Sequence, residues 1–148
     1  MKLLFIATPI SAFGSNDDYA RFRGWIRELI DAVFSSGIFE EVFCVANKVK
    51  TIESLDDPID TLVGDIAELD KATHFLFIYP VETPTSALIE LGYALGKNKD
   101  IILVHPKNVT LPFMATKMDE VYGNVSKLEF GNLDSKSIAR ILSELRKK

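Results

Sequence analysis

A single carboxylate interrupts an otherwise apolar helical segment of this chain. Residues 87–95 read ALIELGYAL, and Glu90 is the charged residue among them. Moving an ionised carboxylate from water into protein is costly unless the group is paired or hydrogen-bonded, so Glu90 needs a reason to be there. It could be a nucleophile at the anomeric carbon of a sugar, a general base, or a clamp on ribose hydroxyls. The structural alternative is a glutamate that pairs with a lysine or caps a backbone group.

A second carboxylate, Asp65, borders the apolar face of another predicted helix. It stands three residues after Leu62 and four before Leu69, so helical spacing places it beside the apolar stripe. Such a position suits either a solvated helix residue or a functional carboxylate. Together with Glu90, it makes the second interpretation worth testing, and we take Glu90 and Asp65 as the candidate catalytic residues.

The segments that must position these two residues alternate between strands and helices. Continuous apolar runs predict strands at residues 2–8, 39–46, 73–79, 100–104 and 127–130, and helical spacing predicts helices at 17–36, 58–71, 85–96 and 135–148. In the third of these helices we expect Thr83 as the N-cap and Pro84 as the first residue. Glu90 then lies within about two turns of the helix start, on a helix that its composition predicts to be buried on nearly all sides.

This alternation predicts parallel strands joined by right-handed crossovers, with helices on both faces of the sheet. The expected fold is a single-domain, three-layer α/β sandwich of the flavodoxin/Rossmann-like type, covering residues 1–148, with a five-stranded parallel sheet of order 2-1-3-4-5. In such sheets ligands bind beyond the carboxyl ends of the strands. The loops expected to form a site are therefore 8–18, 47–54, 80–86 and 105–114.

Four hydroxyl residues in these loops are candidates for binding a substrate. Thr8 and Ser11 follow the first strand, and Thr85 and Ser86 precede the helical turn that carries Glu90. Two hydroxyls at a helix N-terminus can start the helix and can also contact an anion or a ribose hydroxyl. The two roles are compatible.

Two further candidates follow the fourth strand. His105 is either a proton donor lining the cleft or a structural loop residue beside Pro106. Phe113 belongs to the apolar segment at residues 111–114, which either covers a bound base as a lid or packs permanently as a satellite of the core. We favour the lid.

Composition limits the class of protein. With 148 residues, 47% hydrophobic and 26% charged, the chain suits one globular domain, and its one cysteine cannot form an internal disulfide. A net charge of −4 argues against binding of long nucleic acid, and no apolar run reaches the roughly 20 residues of a membrane span. Metal-ligand spacings and nucleotide-binding glycine loops are missing. We therefore expect a cytoplasmic protein that acts on a small molecule without a metal or cofactor.

These residues and their order along the chain resemble a known family. Asp65, Asp70, the apolar strand ending at Pro80 and the segment at 90–94 (ELGYA) are similar to the nucleoside 2-deoxyribosyltransferases and the related deoxynucleoside-monophosphate N-glycosidases. The resemblance implies that Glu90 attacks C1′ of the sugar, forming a glycosyl-enzyme that water or another base resolves. It implies that Asp65 helps to place the base or sugar.

The resemblance also implies self-association, a dimer at least, because sites in this family are commonly completed by a neighbouring subunit. Apolar residues without an obvious place in the core pattern fit that expectation, namely Tyr93, Phe113, Met114 and Met118.

The chain departs from the family pattern at two places. Pro84 stands six residues before the glutamate, where the transferases carry Asp and the monophosphate glycosidases tend to carry Ser. The first loop lacks the glycine-arginine cluster used around phosphate; Ser11, Ser15, Arg21 and Arg23 are possible substitutes, whereas Asp17 and Asp18 would repel a phosphate. The alternatives are therefore a non-catalytic nucleotide-binding sensor or interaction domain, or an NAD-cleaving domain.

Overall fold

Five parallel strands form the centre of the molecule, in a computed structural model that describes residues 1–55 and 57–148. The strands are β1 (Leu3–Ala7), β2 (Glu41–Cys44), β3 (His74–Ile78), β4 (Asp100–Pro106) and β5 (Val125–Phe130). They lie in the order β2-β1-β3-β4-β5, and every neighbouring pair is parallel. The predicted fold class and strand order are confirmed.

Helices connect the strands. They are α1 (Asn16–Ser36), α2 (Val45–Lys48), α3 (Pro58–Lys71), α4 (Ala87–Gly96), α5 (Met118–Val121) and α6 (Ser135–Arg146), with short 3-10 turns at Ile52–Ser54 and Phe113–Ala115. The helix ends follow local chemistry. Ser15 caps α1 by accepting a hydrogen bond from the amide of Asp18, and α1 ends at Gly37, whose φ of 67° is the left-handed conformation that glycine adopts without strain. In α3, Asp57 is the N-cap and Pro58 occupies the first turn.

Successive side chains of each strand point to opposite faces of the sheet and pack into two apolar layers, one on each face. Leu4 and Ile6 of β1 face the layer that includes α1 and α6, whereas Phe5 and Ala7 face the layer that includes Leu69 of α3 and parts of α4. Burial on both faces explains why the central strands read as unbroken apolar runs. No helix in the described part of the chain is long and apolar enough to cross a membrane.

The start and the surroundings of α4 differ from the sequence prediction. The helix begins at Ala87 with Ser86 as its N-cap, because Thr83 is held in the preceding loop. The Tyr79 hydroxyl accepts a hydrogen bond from the Thr83 amide at 2.8 Å and donates one to the Thr83 carbonyl at 2.7 Å. The expectation of burial on nearly all sides was also wrong: α4 packs through Leu91 and Ala94, while Ile89 is 61% exposed.

Two strand boundaries shift as well. Strand β4 continues through Pro106, paired with β5 as far as Phe130, so His105 lies in a strand and not in the loop after it. Strand β2 is shorter than predicted, because the chain turns into α2 directly after Cys44. Both changes occur at the ends of elements, where pairing with a neighbour decides the boundary.

Candidate active site

A cleft lies at the carboxyl end of the sheet, where β1 and β2 end and α4 begins. Its wall is formed by the end of β1 and the residues after it, by the start of α2, by α3 and by the first turn of α4. The lining residues are Ile6, Ala7, Thr8, Ile10, Ser11, Val45, Ala46, Leu55, Thr61, Asp65, Thr85, Ser86, Ala87 and Glu90. The cleft is therefore at the edge of the sheet where ligands bind in this type of fold.

The cleft contains both candidate catalytic carboxylates. Glu90 comes from the first turn of α4 and Asp65 from the middle of α3, so the packing of these two helices on one face of the sheet brings the residues together. Because α4 begins later than predicted, Glu90 is closer to the positive end of the helix than the sequence indicated.

Burial and a neighbouring charge change the proton affinity of Glu90. Removal from water raises its pKa to about 8, and the negative charge of Asp65 and a hydrogen bond with Asp65 act in the same direction. Near neutral pH the folded pair thus holds a proton on Glu90, next to an acidic partner. A carboxyl group with a raised pKa beside a second carboxylate is an arrangement that enzymes use for acid and base chemistry.

Two buried oxygen atoms in this cleft lack a protein partner. The Thr8 hydroxyl oxygen Oγ1 and the Glu90 carboxyl oxygen Oε2 make no hydrogen bond within the described residues. Buried polar atoms are nearly always paired in folded proteins. Both residues line the cleft, so these oxygens are the unpaired buried acceptors nearest to a bound substrate.

The remaining predicted hydroxyl residues are also at the cleft. Ser11, Thr85 and Ser86 all line it, although Thr85 Oγ1 is already used in part as the acceptor for the Ala87 amide at 3.2 Å. The side chain of Ser86 makes no capping bond to the helix. Thr61, which the sequence analysis missed, adds another hydroxyl; its spacing of one helical turn before Asp65 was the signal that could have found it.

His105 and Phe113 are not among the residues that line the cleft. His105 is buried in β4, with Nδ1 at 2.8 Å from the Val109 carbonyl oxygen and Nε2 at 3.5 Å from Glu129 Oε1. These contacts tie it to the turn after β4, the structural role that the sequence left open. The Phe113 side chain is 92% exposed, so it is not a satellite of the core.

The other apolar candidates divide between surface and core. Met114 is exposed, whereas Met118 and Tyr93 are partly buried and pack against the apolar layer beneath α4. Tyr93 does not line the cleft; its hydroxyl donates a hydrogen bond to Asp70 Oδ1 at 2.6 Å.

The possible substitutes for a phosphate-binding cluster are engaged elsewhere. Arg21 forms an ion pair with Asp18, and Arg23 donates hydrogen bonds to the carbonyl oxygens of Ala46 and Asn47 at 3.0 and 2.8 Å. Ser15 is the N-cap of α1. Of the residues named for this purpose, Ser11 lines the cleft.

Comparison with known proteins gives a similarity in fold. None of the protein-family models and none of the curated proteins matches the chain. Among solved structures, the chain is similar to the CMP N-glycosidase BcmB of Clostridium botulinum, with a TM-score of 0.67, 18% sequence identity, and coverage of 97% of this chain and 99% of that one. N-glycosidases are among the proteins that the sequence resembles, so the resemblance is confirmed for the fold. Over nearly its whole length, this chain is folded like a nucleotide N-glycosidase.

Proposed function

We propose that this protein breaks the N-glycosidic bond of a nucleoside or nucleotide by a retaining mechanism, with Glu90 as the nucleophile. The observation that carries the proposal is the position of Glu90: partly buried in the first turn of α4, next to Asp65, with Oε2 unpartnered in the cleft. A carboxylate with an unsatisfied oxygen at the ligand end of the sheet has the chemistry needed to attack an anomeric carbon.

The first step forms a bond between the ionised Glu90 carboxylate and C1′ while the bond from C1′ to the base nitrogen breaks. The electron pair of the broken bond goes to the base, which takes up a proton. Glu90 must lose its own proton before this step to become nucleophilic, so the base takes its proton from water.

The second step releases the sugar. Water attacks C1′, the bond to Glu90 breaks, and in this mechanism Asp65 accepts the proton that the water loses. A second base attacking in place of water would give transfer instead of hydrolysis. Two displacements at C1′ restore its original configuration, which is why this mechanism retains stereochemistry.

The test is base release from a panel of ribonucleosides, deoxyribonucleosides, their monophosphates and NAD, followed by chromatography. Activity in the parent protein and its loss in Glu90→Gln is the expected result, and Glu144→Gln, on α6 and outside the cleft-lining set, is the matched control. A covalent sugar adduct on the peptide containing Glu90, detected by mass spectrometry with a slowly turned-over 2′-fluoro nucleoside, supports the nucleophile.

The competing function is a nucleotide-binding sensor without turnover. It is favoured by Pro84, which replaces the residue that reads the base in related enzymes and lies on an open groove beside Thr83 and Leu111 rather than in the cleft. If the protein binds one compound of the panel tightly and releases no base from any compound, the sensor function is supported and the N-glycosidase function is not.

A further inference from the structure

We propose that the cleft selects an N-glycoside that carries no 5′-phosphate, that is, a nucleoside rather than a nucleotide. The inference rests on the proposed function and specifies its substrate class. It concerns the charge and hydrogen-bonding character of the surfaces around Glu90.

The charged residues of the cleft are acidic. Glu90 and Asp65 line it, and the described lining residues include neither lysine nor arginine. A phosphate monoester has about −1.5 to −2 charges at pH 7. Placing it beside the negative charge of Asp65 in this cleft costs free energy, since charges interact more strongly in a site of low dielectric constant than in water.

A second groove, which adjoins the cleft along α3, also contains more acidic than basic residues. It shares Leu55, Thr61 and Asp65 with the cleft, and it adds the carboxylates of Asp60 and Glu68. Lys48 is the cation in this groove, and its Nζ lies 5.0 Å from the centre of the Phe43 ring, over the ring face. One lysine among three carboxylates leaves the groove acidic.

The arginines nearest in sequence to the cleft loops are held by other partners. Arg23 donates to two backbone carbonyl oxygens, of which the Ala46 carbonyl belongs to a lining residue, and Arg21 is paired with Asp18. Releasing Arg23 to bind a phosphate would leave two carbonyl oxygens without their donor, and Arg21 is not among the residues that line the cleft.

The start of α4 is the remaining feature that attracts anions. Its first turn already contains the Glu90 carboxyl group, so the positive end of the helix dipole interacts with that group. An incoming phosphate at the same place would lie against that acid.

The other polar groups suit a neutral sugar. Thr8, Ser11, Thr61 and Ser86 line the cleft and carry hydroxyls, and Oγ1 of Thr8 is buried without a partner among the described residues. A hydroxyl both donates and accepts, so it can pair with the hydroxyls of an unphosphorylated sugar as well as with an ionised carboxylate. Carboxylates likewise accept hydrogen bonds from sugar hydroxyls.

The test compares matched pairs that differ by the phosphate alone, such as cytidine with CMP and deoxyadenosine with dAMP. Affinities are measured by calorimetry on the intact protein at physiological ionic strength, and base release is measured in parallel. We expect each nucleoside of a bound pair to bind at least tenfold more tightly than its monophosphate, the scale of a repulsion between a phosphate and a partly buried carboxylate. Tighter binding of the monophosphate in the pairs that bind, or no binding by any pair, would overturn the inference.

The two readouts separate this inference from the proposed function. Preference for nucleosides without base release would support the substrate class and contradict the cleavage mechanism. Base release from monophosphates in preference to nucleosides would do the opposite.

A variant tests the electrostatic origin of the preference. At pH 9, where Glu90 is ionised in the parent as well, Asp65→Asn removes one negative charge from the cleft and nearly preserves the side-chain shape, so the ratio of monophosphate to nucleoside affinity should rise severalfold. Asp31→Asn on α1, outside the cleft-lining set, is the matched control and should leave the ratio unchanged. Equal ratios in the parent and in Asp65→Asn would contradict the proposed cause.

Discussion

Glu90 of α4 and Asp65 of α3 are hydrogen-bonded to one another in the cleft, and the charge of Asp65 adds to burial in raising the pKa of Glu90 to about 8. The two residues are far apart in the chain and come from separate helices. Their contact creates a carboxyl group that is protonated in the free protein near neutral pH and must ionise to act as a nucleophile. This relationship determines how activity and stability depend on pH and on substitution.

Replacement of Glu90 by Gln should stabilise the protein while abolishing base release. The pKa of Glu90 rises from 4.5 to about 8 on folding, so the folded state binds more protons than the unfolded state between these values. The free energy of unfolding therefore falls as pH rises from 4.5 to 8. Gln does not ionise, and because one pKa unit corresponds to about 1.4 kcal/mol, we expect Glu90→Gln to be more stable than the parent by roughly 4 kcal/mol at pH 8.

Urea unfolding at pH 5 and pH 8 measures this effect. The difference between the two proteins should nearly vanish at pH 5, where the carboxyl group is protonated in the folded protein. A stability gap that is equal at both pH values would show that Glu90 does not titrate as described.

Activity should rise with pH. If the ionised form of Glu90 is the nucleophile, kcat/KM follows its ionisation in the free protein, with a midpoint near pH 8. Asp65→Asn removes the neighbouring charge, so the midpoint should move to lower pH, but it should stay above 4.5 because burial is the largest cause of the shift. Initial rates at low substrate concentration from pH 5 to 9 give both midpoints. If the pH midpoint of kcat/KM is the same in the parent and in Asp65→Asn, Asp65 does not contribute to the raised pKa of Glu90.

Thr8→Val should weaken ligand binding with little effect on folding. The Thr8 hydroxyl oxygen is buried in the cleft and makes no hydrogen bond within the described chain, so its removal breaks no native bond. We expect about a fivefold loss of affinity or more, with a melting temperature equal to that of the parent or slightly higher. Thr73→Val is the contrasting variant. Its hydroxyl bonds to both the amide and the carbonyl of Leu3, so its loss should lower stability.

Phe113→Ala tests the predicted lid. Because the side chain is 92% exposed, its truncation should leave the melting temperature nearly unchanged. A lid function predicts weaker ligand binding in this variant. Leu111→Ala, at a buried position of the same loop, should instead destabilise the protein by about 2 to 4 kcal/mol. Unchanged affinity in Phe113→Ala would exclude the lid.

Leu62→Glu should disrupt the predicted dimer. Three exposed apolar side chains line a groove beside the cleft: Leu55 before α3, Leu62 of α3 and Ile89 of α4. Ile59 and Val63 of α3 are exposed as well. Exposed apolar surface of this kind is typical of a contact between subunits. Sedimentation at micromolar concentration should give a dimer for the parent and 16.5 kDa for Leu62→Glu. Phe34→Glu, another exposed apolar position on α1, is the control and should stay dimeric; a monomeric parent would refute the dimer.

The sequence by itself determined the layered fold and the identity of the unusual residue. Unbroken apolar runs predict buried parallel strands, because both faces of the sheet are covered, and helical spacing predicts the crossovers between them. Glu90 could be identified because an isolated charge in an apolar segment is conspicuous without any knowledge of its partners.

Only the tertiary structure decided which residues meet. The contact of Asp65 with Glu90 depends on the packing of α3 and α4 on the same face of the sheet, and no local pattern encodes the distance between two helices. The same holds for the late start of α4, which depends on two hydrogen bonds between Tyr79 and Thr83, and for His105, whose strand position depends on pairing with β5. Local propensity sets the type of an element, but long-range contacts set where it ends and what it touches.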